Sequence, residues 1–388
     1  MEHIIIIGGG AIGSALSHDL ILRGFKVTLF EKGELLSGTT GRHHGLLHSG
    51  GRYVLHDLET AQECWEENRI LRRIVPEGLE KNGGLFVAMD DQDMSHLESF
   101  FDGCHATDIP VKQMSARKAL AIEPNLNPDL KAAIQIPDAT MDAWRLPLHF
   151  FATAQENGAD IHPFSEVVAI QREGERVVGV TVTSQRTYQT AFHAGEIVVN
   201  AAGPWAGKIA AMLDISIPVR PAPGVMVSVR KRLTNMVINR LHPADDGDII
   251  VPQRNLSILG TSAWLAEDPD TVELPQDHID RIMSTCAEMV PSVGGLPVHA
   301  AWSASRPLIV RDPTEDPTRI SRTFDCLDHA DIDSVEGFIS AIGGKATTMR
   351  AMAEKTADLI CEKTGRNVPC RTRDTKLVPY RRWYKNRP

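Results

Sequence analysis

The chain opens with four consecutive isoleucines that run directly into a cluster of glycines. Residues 3–7 are almost wholly apolar, the pattern of a strand buried on both faces of a parallel sheet. Residues 12–20 then carry apolar side chains at helical spacing, and Gly24 is typical of a helix end. A second apolar run, residues 26–30, closes on Glu31. The opening therefore predicts a strand, a helix and a second strand in immediate succession.

Helical and strand patterns alternate through the rest of the chain, without repeats or low-complexity linkers. The patterns predict helices at 58–75, 113–126, 146–157, 276–291 and after the glycines at 343–344. They predict strands at 82–90, 196–203 and 337–342, a strand and hairpin pattern after the helix at 146–157, and a strand-rich stretch at 218–264. Elements of the nucleotide-binding type occur near the start, the middle and the end of the chain. Domains that are interleaved rather than consecutive would explain this distribution.

We therefore expect an α/β protein in which a Rossmann-like nucleotide-binding domain is interleaved with a smaller α+β substrate domain built on a mostly antiparallel sheet. The expected divisions are residues 1–82, 146–206 and 300–366 for the nucleotide-binding domain, 83–145 and 207–299 for the substrate domain, and 367–388 for a basic C-terminal tail.

Composition narrows the class of protein. A chain of 388 residues is longer than one compact core usually spans, which favours two lobes. The net charge of −9 argues against nucleic acid as a partner. The six cysteines form no C-x-x-C pair, so no metal site is predicted. No apolar run is long enough to cross a bilayer, and the glycine cluster starts too early to leave room for a signal peptide. We therefore expect a cytoplasmic protein.

The glycine cluster has the spacing G-x-G-x-x-G, formed by Gly8, Gly10 and Gly13. In this motif the first glycine permits a tight turn, the second lets the backbone approach a pyrophosphate, and the third lets the helix pack on the strand. Glu31 can accept hydrogen bonds from ribose hydroxyls and would repel a 2′-phosphate. The motif predicts binding of NAD or FAD, between which it does not decide. The alternative is a glycine turn that serves packing alone.

Several further stretches resemble a known family. Together with the glycine motif, "TTGRHHGLLHSGGRYVLHD", "VVNAAGPWA", "SASRPLIVRD", "ISRTFDCLDH" and "GGKATTMRAMAE" resemble the FAD-dependent glycerol-3-phosphate dehydrogenases, a family within the D-amino-acid-oxidase-like flavoproteins. The resemblance covers about residues 1–370 and is strongest to the catalytic subunit of the anaerobic bacterial enzyme. It implies FAD as cofactor and the oxidation of sn-glycerol 3-phosphate to dihydroxyacetone phosphate by hydride transfer to flavin N5.

The resemblance also implies which residues contact the cofactor. They are Gly8, Gly10, Ala11, Ile12, Gly13, Glu31, Lys32, Thr40, Gly41, Arg42, His43, His44, Val167, Ala201, Ala202, Gly203, Trp205, Gly343, Gly344, Lys345, Ala346 and Thr347. A reduced flavin carries negative charge at its N1–O2 edge, which a helix N-terminus and Lys345 would stabilise. The alternative for Lys345 is a solvated surface lysine.

The same resemblance places an anionic substrate among basic side chains. Arg52, Arg306 and Arg322 match the family's phosphate-binding arginines, and Lys345 lies in the same set. A guanidinium fork suits a phosphate or a carboxylate equally well. Arg306 also counts among the catalytic candidates. The base that removes the hydroxyl proton would be His48 or His242, although a lone histidine is more often structural.

The chain departs from the family pattern in two places. The anaerobic family member continues into a cysteine-bearing C-terminal domain that binds an iron–sulfur cluster, and no match to it is seen up to residue 388. We therefore expect electrons to pass to a quinone or another acceptor, or to a separate iron–sulfur or flavin subunit. The basic tail could dock such a subunit, or an acidic membrane surface on the inner face, or it could be frayed and solvated. The family's "GVRPL" reads "ASRPL", and Met349 replaces an aromatic ring, which leaves the exact substrate open.

Other functions remain compatible with the sequence. A 2-hydroxy-acid dehydrogenase or oxidase, such as one acting on 2-hydroxyglutarate, would use the arginines for carboxylates, and an amino-acid or amine oxidase belongs to the same superfamily. A subunit that holds FAD without reacting with small molecules is the non-enzyme alternative. A plain NAD dehydrogenase would leave the elements at 196–205 and 342–348 without a role.

Overall fold

The computed structural model describes residues 2–75, 77–243, 245, 247–271, 273–310 and 323–385. Its strands are β1 (His3–Ile7), β2 (Lys26–Phe30), β3 (Leu46–Leu47), β4 (Leu79–Glu80), β5 (Gly84–Ala88), β6 (Lys112–Ser115), β7 (Ala132–Ile136), β8 (Ala139–Met141), β9 (Asp160–His162), β10 (Ser165–Glu173), β11 (Arg176–Ser184), β12 (Thr190–Ala194), β13 (Ile197–Asn200), β14 (Val219–Val229), β15 (Val237–Arg240), β16 (Ile249–Gln253), β17 (Leu256–Leu259), β18 (Val298–Ile309), β19 (Phe324–Asp328) and β20 (Phe338–Gly343).

The α-helices alternate with these strands, as the fold class requires. They are α1 (Ala11–Leu22), α2 (Leu58–Ile74), α3 (Asp91–Ser95), α4 (Leu97–Ala106), α5 (Ala116–Ile122), α6 (Arg145–Glu156), α7 (Ala206–Ala210), α8 (Gln276–Met289), α9 (His329–Asp333), α10 (Met349–Lys363) and α11 (Arg382–Lys385). Within the described part of the chain, no helix is both long and apolar enough to cross a membrane.

A six-stranded sheet in the order β19-β20-β13-β1-β2-β9 carries the glycine motif. Strand β1 pairs in parallel with β2 on one side and β13 on the other, so it is central, and its four isoleucines are buried as the sequence predicts. One face packs against a core formed with α1, α6 and α10, and the other packs against the three-stranded sheet β10-β11-β12. The predicted Rossmann-like unit is therefore confirmed, with helices on one face and a β-sheet on the other.

An eight-stranded sheet in the order β18-β14-β17-β16-β15-β5-β7-β6 forms the second part of the molecule. All of its pairings are antiparallel except that of β15 with β5. Helix α8 covers one face and α4 contributes to the core on the other. The expected mostly antiparallel sheet is thus present.

Two boundaries differ from the sequence expectation. Residues 300–309, which we placed with the nucleotide-binding domain, pair with β14 in the eight-stranded sheet along the whole of β18. The helix expected at 113–126 is shorter, because residues 112–115 form β6 against β7. The Ser115 hydroxyl accepts a hydrogen bond from the Lys118 N–H, which makes Ser115 the N-cap and starts the helix there.

The C-terminal tail packs on the body of the protein. Tyr380 and Trp383 are buried, against His149 and Phe151 of α6 respectively. The Leu377 N–H donates to the Ile74 carbonyl (3.0 Å), which ties the tail to the end of α2. Ion pairs join Arg381 to Glu77 and Arg382 to Glu156, both at 2.8 Å. The described part of the tail, residues 367–385, is therefore not the frayed segment considered above, since the rings of Tyr380 and Trp383 face this chain while that of Tyr384 is exposed.

Candidate active site

The glycine motif forms a turn whose backbone packs directly against neighbouring backbone atoms, without room for side chains. Gly8 has φ +114°, and a Cβ there would lie 2.6 Å from the Ala201 carbonyl oxygen. A Cβ on Gly13 would lie 2.0 Å from the Gly8 carbonyl oxygen. Helix α1 begins directly after Gly10, which supplies no side-chain cap, and the Thr40 hydroxyl accepts from the Ala11 N–H at 2.9 Å. The positive end of the helix macrodipole thus lies at the turn.

Glu31 is fixed at the tip of β2 by two backbone donors. Its Oε2 accepts from the Gly9 N–H at 2.7 Å, and its Oε1 accepts from the Gly33 N–H at 2.8 Å. A carboxylate has about four acceptor positions, so each oxygen can accept a further bond. The acid expected to bind ribose is therefore held rigidly beside the glycine turn.

A cavity of about 890 Å³ joins the glycine turn to the basic residues expected to bind substrate. Its wall includes every cofactor residue predicted from the sequence except Gly13 and Gly41. Gly13 lies beneath the turn. Gly41 packs against Leu36 and the Trp144 ring, where a Cβ would approach within 2.6 Å of both. We refer below to the wall formed by Gly8, Gly10 and Glu31, with Gly13 beneath it, as the nucleotide region.

A polar cluster contributes to the cavity wall beside the nucleotide region, and sequence reasoning found its Lys32 and Trp205 but missed Lys208 and Asp270. The Trp205 indole N–H donates to Asp270 at 2.7 Å, and the Lys208 ammonium lies 2.5 Å from the other oxygen of that carboxylate. These bonds lower the pKa of Asp270, with Lys208 the largest cause. Lys32 lies 4.9 Å from the centre of the Trp205 ring. Asp270 thus ties its loop to the nucleotide-binding sheet.

His48 follows the short strand β3 and lies on the cavity wall. Its backbone N–H donates to the Thr347 hydroxyl at 3.2 Å, and its carbonyl accepts from the Asn68 amide at 3.0 Å. Burial, reinforced by nearby His44, Arg52 and Lys345, lowers the pKa of His48 well below its usual value of 6.5. The imidazole is therefore neutral at pH 7 and can accept a proton.

His43 and His44 are also neutral. Their Nδ1 atoms accept hydrogen bonds from the backbone N–H groups of Gly45 (2.9 Å) and Leu46 (3.1 Å), so the proton of each neutral ring sits on Nε2. Burial lowers the pKa of His43 to about 4, and that of His44 well below 6.5. Both rings line the cavity, where they are hydrogen-bond donors without charge.

Arg52 and Arg306 reach the same cavity from different elements. Arg52, in the loop after β3, donates to Asp248 at 2.7 Å and to the Asn239 side-chain oxygen at 3.1 Å. Arg306, on β18, donates to the Thr261 hydroxyl at 2.6 Å and to the Ser262 carbonyl at 3.3 Å.

Lys345 also lines the cavity, and its ammonium lies 5.1 Å from the centre of the Tyr53 ring. Together with His48, Arg52 and Arg306, Lys345 makes the wall that we call the substrate region.

Two predicted residues are not brought to the cavity. His242 does not belong to its wall, and its Nδ1 lies 2.6 Å from the carbonyl of the adjacent Pro243. Its catalytic role stays a prediction, which this placement does not favour. Arg322 lies outside the described residues. Asp248, Thr261 and Ser262, which hold the two arginines, carry no motif signal and become visible only once their partners are known.

A family model described as FAD dependent oxidoreductase (DAO) matches residues 3–359. This chain belongs to the DAO family of FAD-dependent oxidoreductases. The A1 component of the anaerobic glycerol-3-phosphate dehydrogenase of Haloferax volcanii is 43% identical to this oxidoreductase, across 96% of the chain and 66% of that relative. The corresponding component of the Escherichia coli strain K12 enzyme is 38% identical, across 96% of the chain and 69% of the relative. The chain thus spans about two-thirds of the length of these curated relatives.

The fold of this oxidoreductase is shared with solved structures. L-alpha-glycerophosphate oxidase from Mycoplasma pneumoniae, determined with FAD bound, matches with a TM-score of 0.75 over 98% of this chain and 100% of its own, at 20% sequence identity. At that identity the likeness shows the fold.

The residues present fit FAD, the cofactor of the family. The glycine turn and the N-terminus of α1 suit a pyrophosphate, and the held carboxylate of Glu31 suits a ribose. Gly343 and Gly344, with φ of +78° and +77°, form a second tight turn that places Lys345 on the cavity wall. The cavity is large enough for an extended ligand, since small-molecule pockets span roughly 300–1,000 Å³.

Proposed function

We propose that this oxidoreductase oxidises the secondary alcohol of sn-glycerol 3-phosphate to give dihydroxyacetone phosphate. The observation that carries the proposal is the juxtaposition of two guanidinium groups, Arg52 and Arg306, with the neutral imidazole of His48 on one cavity wall. Guanidinium groups bind the oxygens of a phosphate, and a neutral imidazole takes the proton of a hydroxyl. The names of the relatives from H. volcanii and E. coli support the same substrate.

Each residue of the substrate region has a separate task in this proposal. Arg52 and Arg306 bind the phosphate and so orient the carbon that bears the hydroxyl. His48 accepts the hydroxyl proton at a ring nitrogen, and its hydrogen-bonded backbone keeps that ring in place. Lys345 adds positive charge to the wall. FAD, when bound, supplies the acceptor for the hydride. Arg322 stays a predicted third phosphate ligand.

The direct test is an anaerobic titration of the purified, FAD-loaded protein with sn-glycerol 3-phosphate, followed through the visible absorbance of the flavin. Bleaching at modest concentration is expected. Parallel titrations with 2-hydroxyglutarate and with an amino acid serve as controls. Bleaching by one of these compounds, and not by glycerol 3-phosphate, would contradict the proposal and assign the arginines to a carboxylate. Absence of bleaching by all three would favour a protein that only holds the cofactor.

We further propose that electrons leave this chain for a separate acceptor, either a quinone or another electron-transfer protein. The support is that both relatives are named as one subunit of an enzyme, which implies further subunits in those proteins. The tail is a weaker candidate for the contact than its composition suggests, because Tyr380 and Trp383 are buried against this chain. Co-purification with an electron-transfer protein, or turnover with a soluble quinone, would test this.

A further inference from the structure

The β16–β17 hairpin ends beside both arginines of the substrate region. In its ladder Ile250 lies opposite Leu259. Pairing continues beyond the strands, because the Gly260 N–H donates to the Ile249 carbonyl at 3.1 Å and the Gly247 N–H donates to the Thr261 carbonyl at 3.2 Å. Asp248 and Thr261 therefore face one another across the open end of this hairpin. We call these two residues the anchor pair.

Each member of the anchor pair holds one arginine. Asp248 Oδ1 accepts from Arg52 at 2.7 Å, and its side chain is only 1% exposed. Thr261 Oγ1 accepts from Arg306 at 2.6 Å. Arg52 comes from a loop and Arg306 from β18, which is the edge strand of the sheet. Without a common support, the two guanidinium groups would be placed by elements that are distant in the chain.

The surroundings of the anchor pair leave little freedom to move. A Cβ on Gly224 would lie 2.7 Å from the Arg306 Nη1 and 2.6 Å from the Thr261 hydroxyl, so only glycine leaves room for both groups there. Behind the hairpin, the Cys286 thiol of α8 donates to the Gly247 carbonyl at 3.1 Å. The side chain of Ile282, also on α8, packs beneath Gly260.

We propose that Asp248 and Thr261 are positioning residues that fix the separation and orientation of Arg52 and Arg306, so that both bind one phosphate. This inference rests on the proposed function. Holding both guanidinium groups before substrate arrives reduces the side-chain entropy that binding would otherwise cost. Two bonds to Asp248 and Asn239 use two of the five N–H donors of Arg52, which leaves three for the substrate.

The test replaces each anchor without changing its size much, in Asp248→Asn and Thr261→Val. We expect each variant to retain FAD and to raise the KM for sn-glycerol 3-phosphate roughly tenfold, with a smaller change in kcat. Asp248→Asn keeps an oxygen but removes the negative charge that strengthens the bond from Arg52, and Thr261→Val removes the hydroxyl that accepts from Arg306. Thr261→Ser keeps the hydroxyl and is the matched control, with KM close to the unmodified protein. An unchanged KM in Asp248→Asn and Thr261→Val would overturn the proposal.

Double variants separate positioning from direct contact or general damage. If Asp248 acts through Arg52, then Asp248→Asn adds no further increase in KM to Arg52→Ala, and Thr261→Val adds none to Arg306→Ala. A further increase in either background would overturn the proposal.

Inorganic phosphate keeps the test independent of the proposed activity. Phosphate should raise the thermal unfolding temperature of the FAD-loaded protein, and should do so less in Asp248→Asn and Thr261→Val. If glycerol 3-phosphate fails to bleach the flavin while this pattern holds, the proposed substrate is wrong and the anchor pair stands. No response to phosphate in the unmodified protein would overturn the anchor pair as a phosphate-positioning device.

Discussion

The nucleotide region and the substrate region line one cavity but are built in opposite ways. The nucleotide region takes its glycines and its acid from residues 8–31, where strand, turn, helix and strand follow one another. The substrate region takes side chains from residues between 48 and 345, carried by loops and by the edge strand of the other sheet. A site encoded in one continuous segment can be identified by motif, whereas a site assembled from distant segments depends on the tertiary structure.

The largest expected effect concerns the continuous segment. In Gly13→Val, the new side chain would start 2.0 Å from the Gly8 carbonyl, so α1 must move away from the turn. We expect a purified protein without FAD, measured as the ratio of flavin to protein absorbance. Gly207→Val is the matched control, since a Cβ there meets nothing within 4 Å, and it should retain FAD. A yellow Gly13→Val protein would have retained FAD, which would show that the close packing of α1 on the Gly8 carbonyl is not required for binding the cofactor.

His48→Gln should produce the next largest effect, on catalysis alone. Removing a general base typically costs 10²–10⁴-fold in rate, so we expect kcat to fall at least about 100-fold while FAD stays bound. Because burial lowers the pKa of His48, the unmodified enzyme keeps this base deprotonated above pH 6.5, and kcat falls only as the pH drops well below that value. The substrate phosphate also titrates, near pH 6. The decrease of kcat at low pH can therefore have two causes. The part of this decrease that is absent in His48→Gln is due to protonation of His48.

Sequence patterns predicted the continuous parts of the molecule well. The opening strand, α1, β2 and the helix at 58–74 follow from local periodicity, and Glu31 follows from its distance to the glycines. These features depend on contacts between residues that are close in the chain. The same local signals predicted a helix at 113–126 that is too long. Its true start is set by the pairing of β6 with β7 and by the hydrogen bond that the Ser115 hydroxyl accepts from the Lys118 N–H.

Long-range pairing explains what the patterns missed. The apolar residues of β18 suit either sheet, and only its pairing with β14 assigns them to the eight-stranded sheet. Arg306 could be named from family resemblance, but its partner Thr261 lies 45 positions away and carries no motif. Composition left the tail open as a docking segment or a frayed, solvated end, whereas Trp383 is buried against α6 of this chain.

His18 sharpens the comparison, because it lies in α1, the helix that follows the glycine turn, and makes the stability of the protein sensitive to acid. It is buried in α1 with neither ring nitrogen hydrogen-bonded, and burial lowers its pKa to about 4. The unfolded chain binds a proton at His18 near pH 6.5, whereas the folded chain binds it only near pH 4. The free energy of unfolding is therefore unaffected by His18 above pH 6.5 and decreases as the pH falls from 6.5 toward 4. We expect the change in the free energy of unfolding caused by His18→Leu to be more favourable by about 2 kcal/mol at pH 5 than at pH 8.

Thermal or denaturant unfolding at the two pH values measures this difference. Leu16→Ala, at a buried apolar position of the same helix, is the control, because it removes no titratable group. Equal effects of His18→Leu at both pH values would mean that the folded and the unfolded chain bind the same number of protons at His18, and therefore that burial does not lower the pKa of this ring.

The smallest expected effect tests whether the two regions are independent. In Glu31→Gln only one side-chain oxygen remains to accept from Gly9 and Gly33, and the charge facing the ribose is lost. We expect FAD to bind about tenfold more weakly, as for one charged hydrogen bond, which titration of the flavin-free protein with FAD would measure. At saturating FAD, the KM for sn-glycerol 3-phosphate should not change. Arg306→Ala should give the reverse result, with FAD affinity unchanged and KM raised. If either variant altered both the affinity for FAD and the KM, the nucleotide region and the substrate region would be energetically coupled. The two regions would then differ in how they are built along the chain but would not act independently.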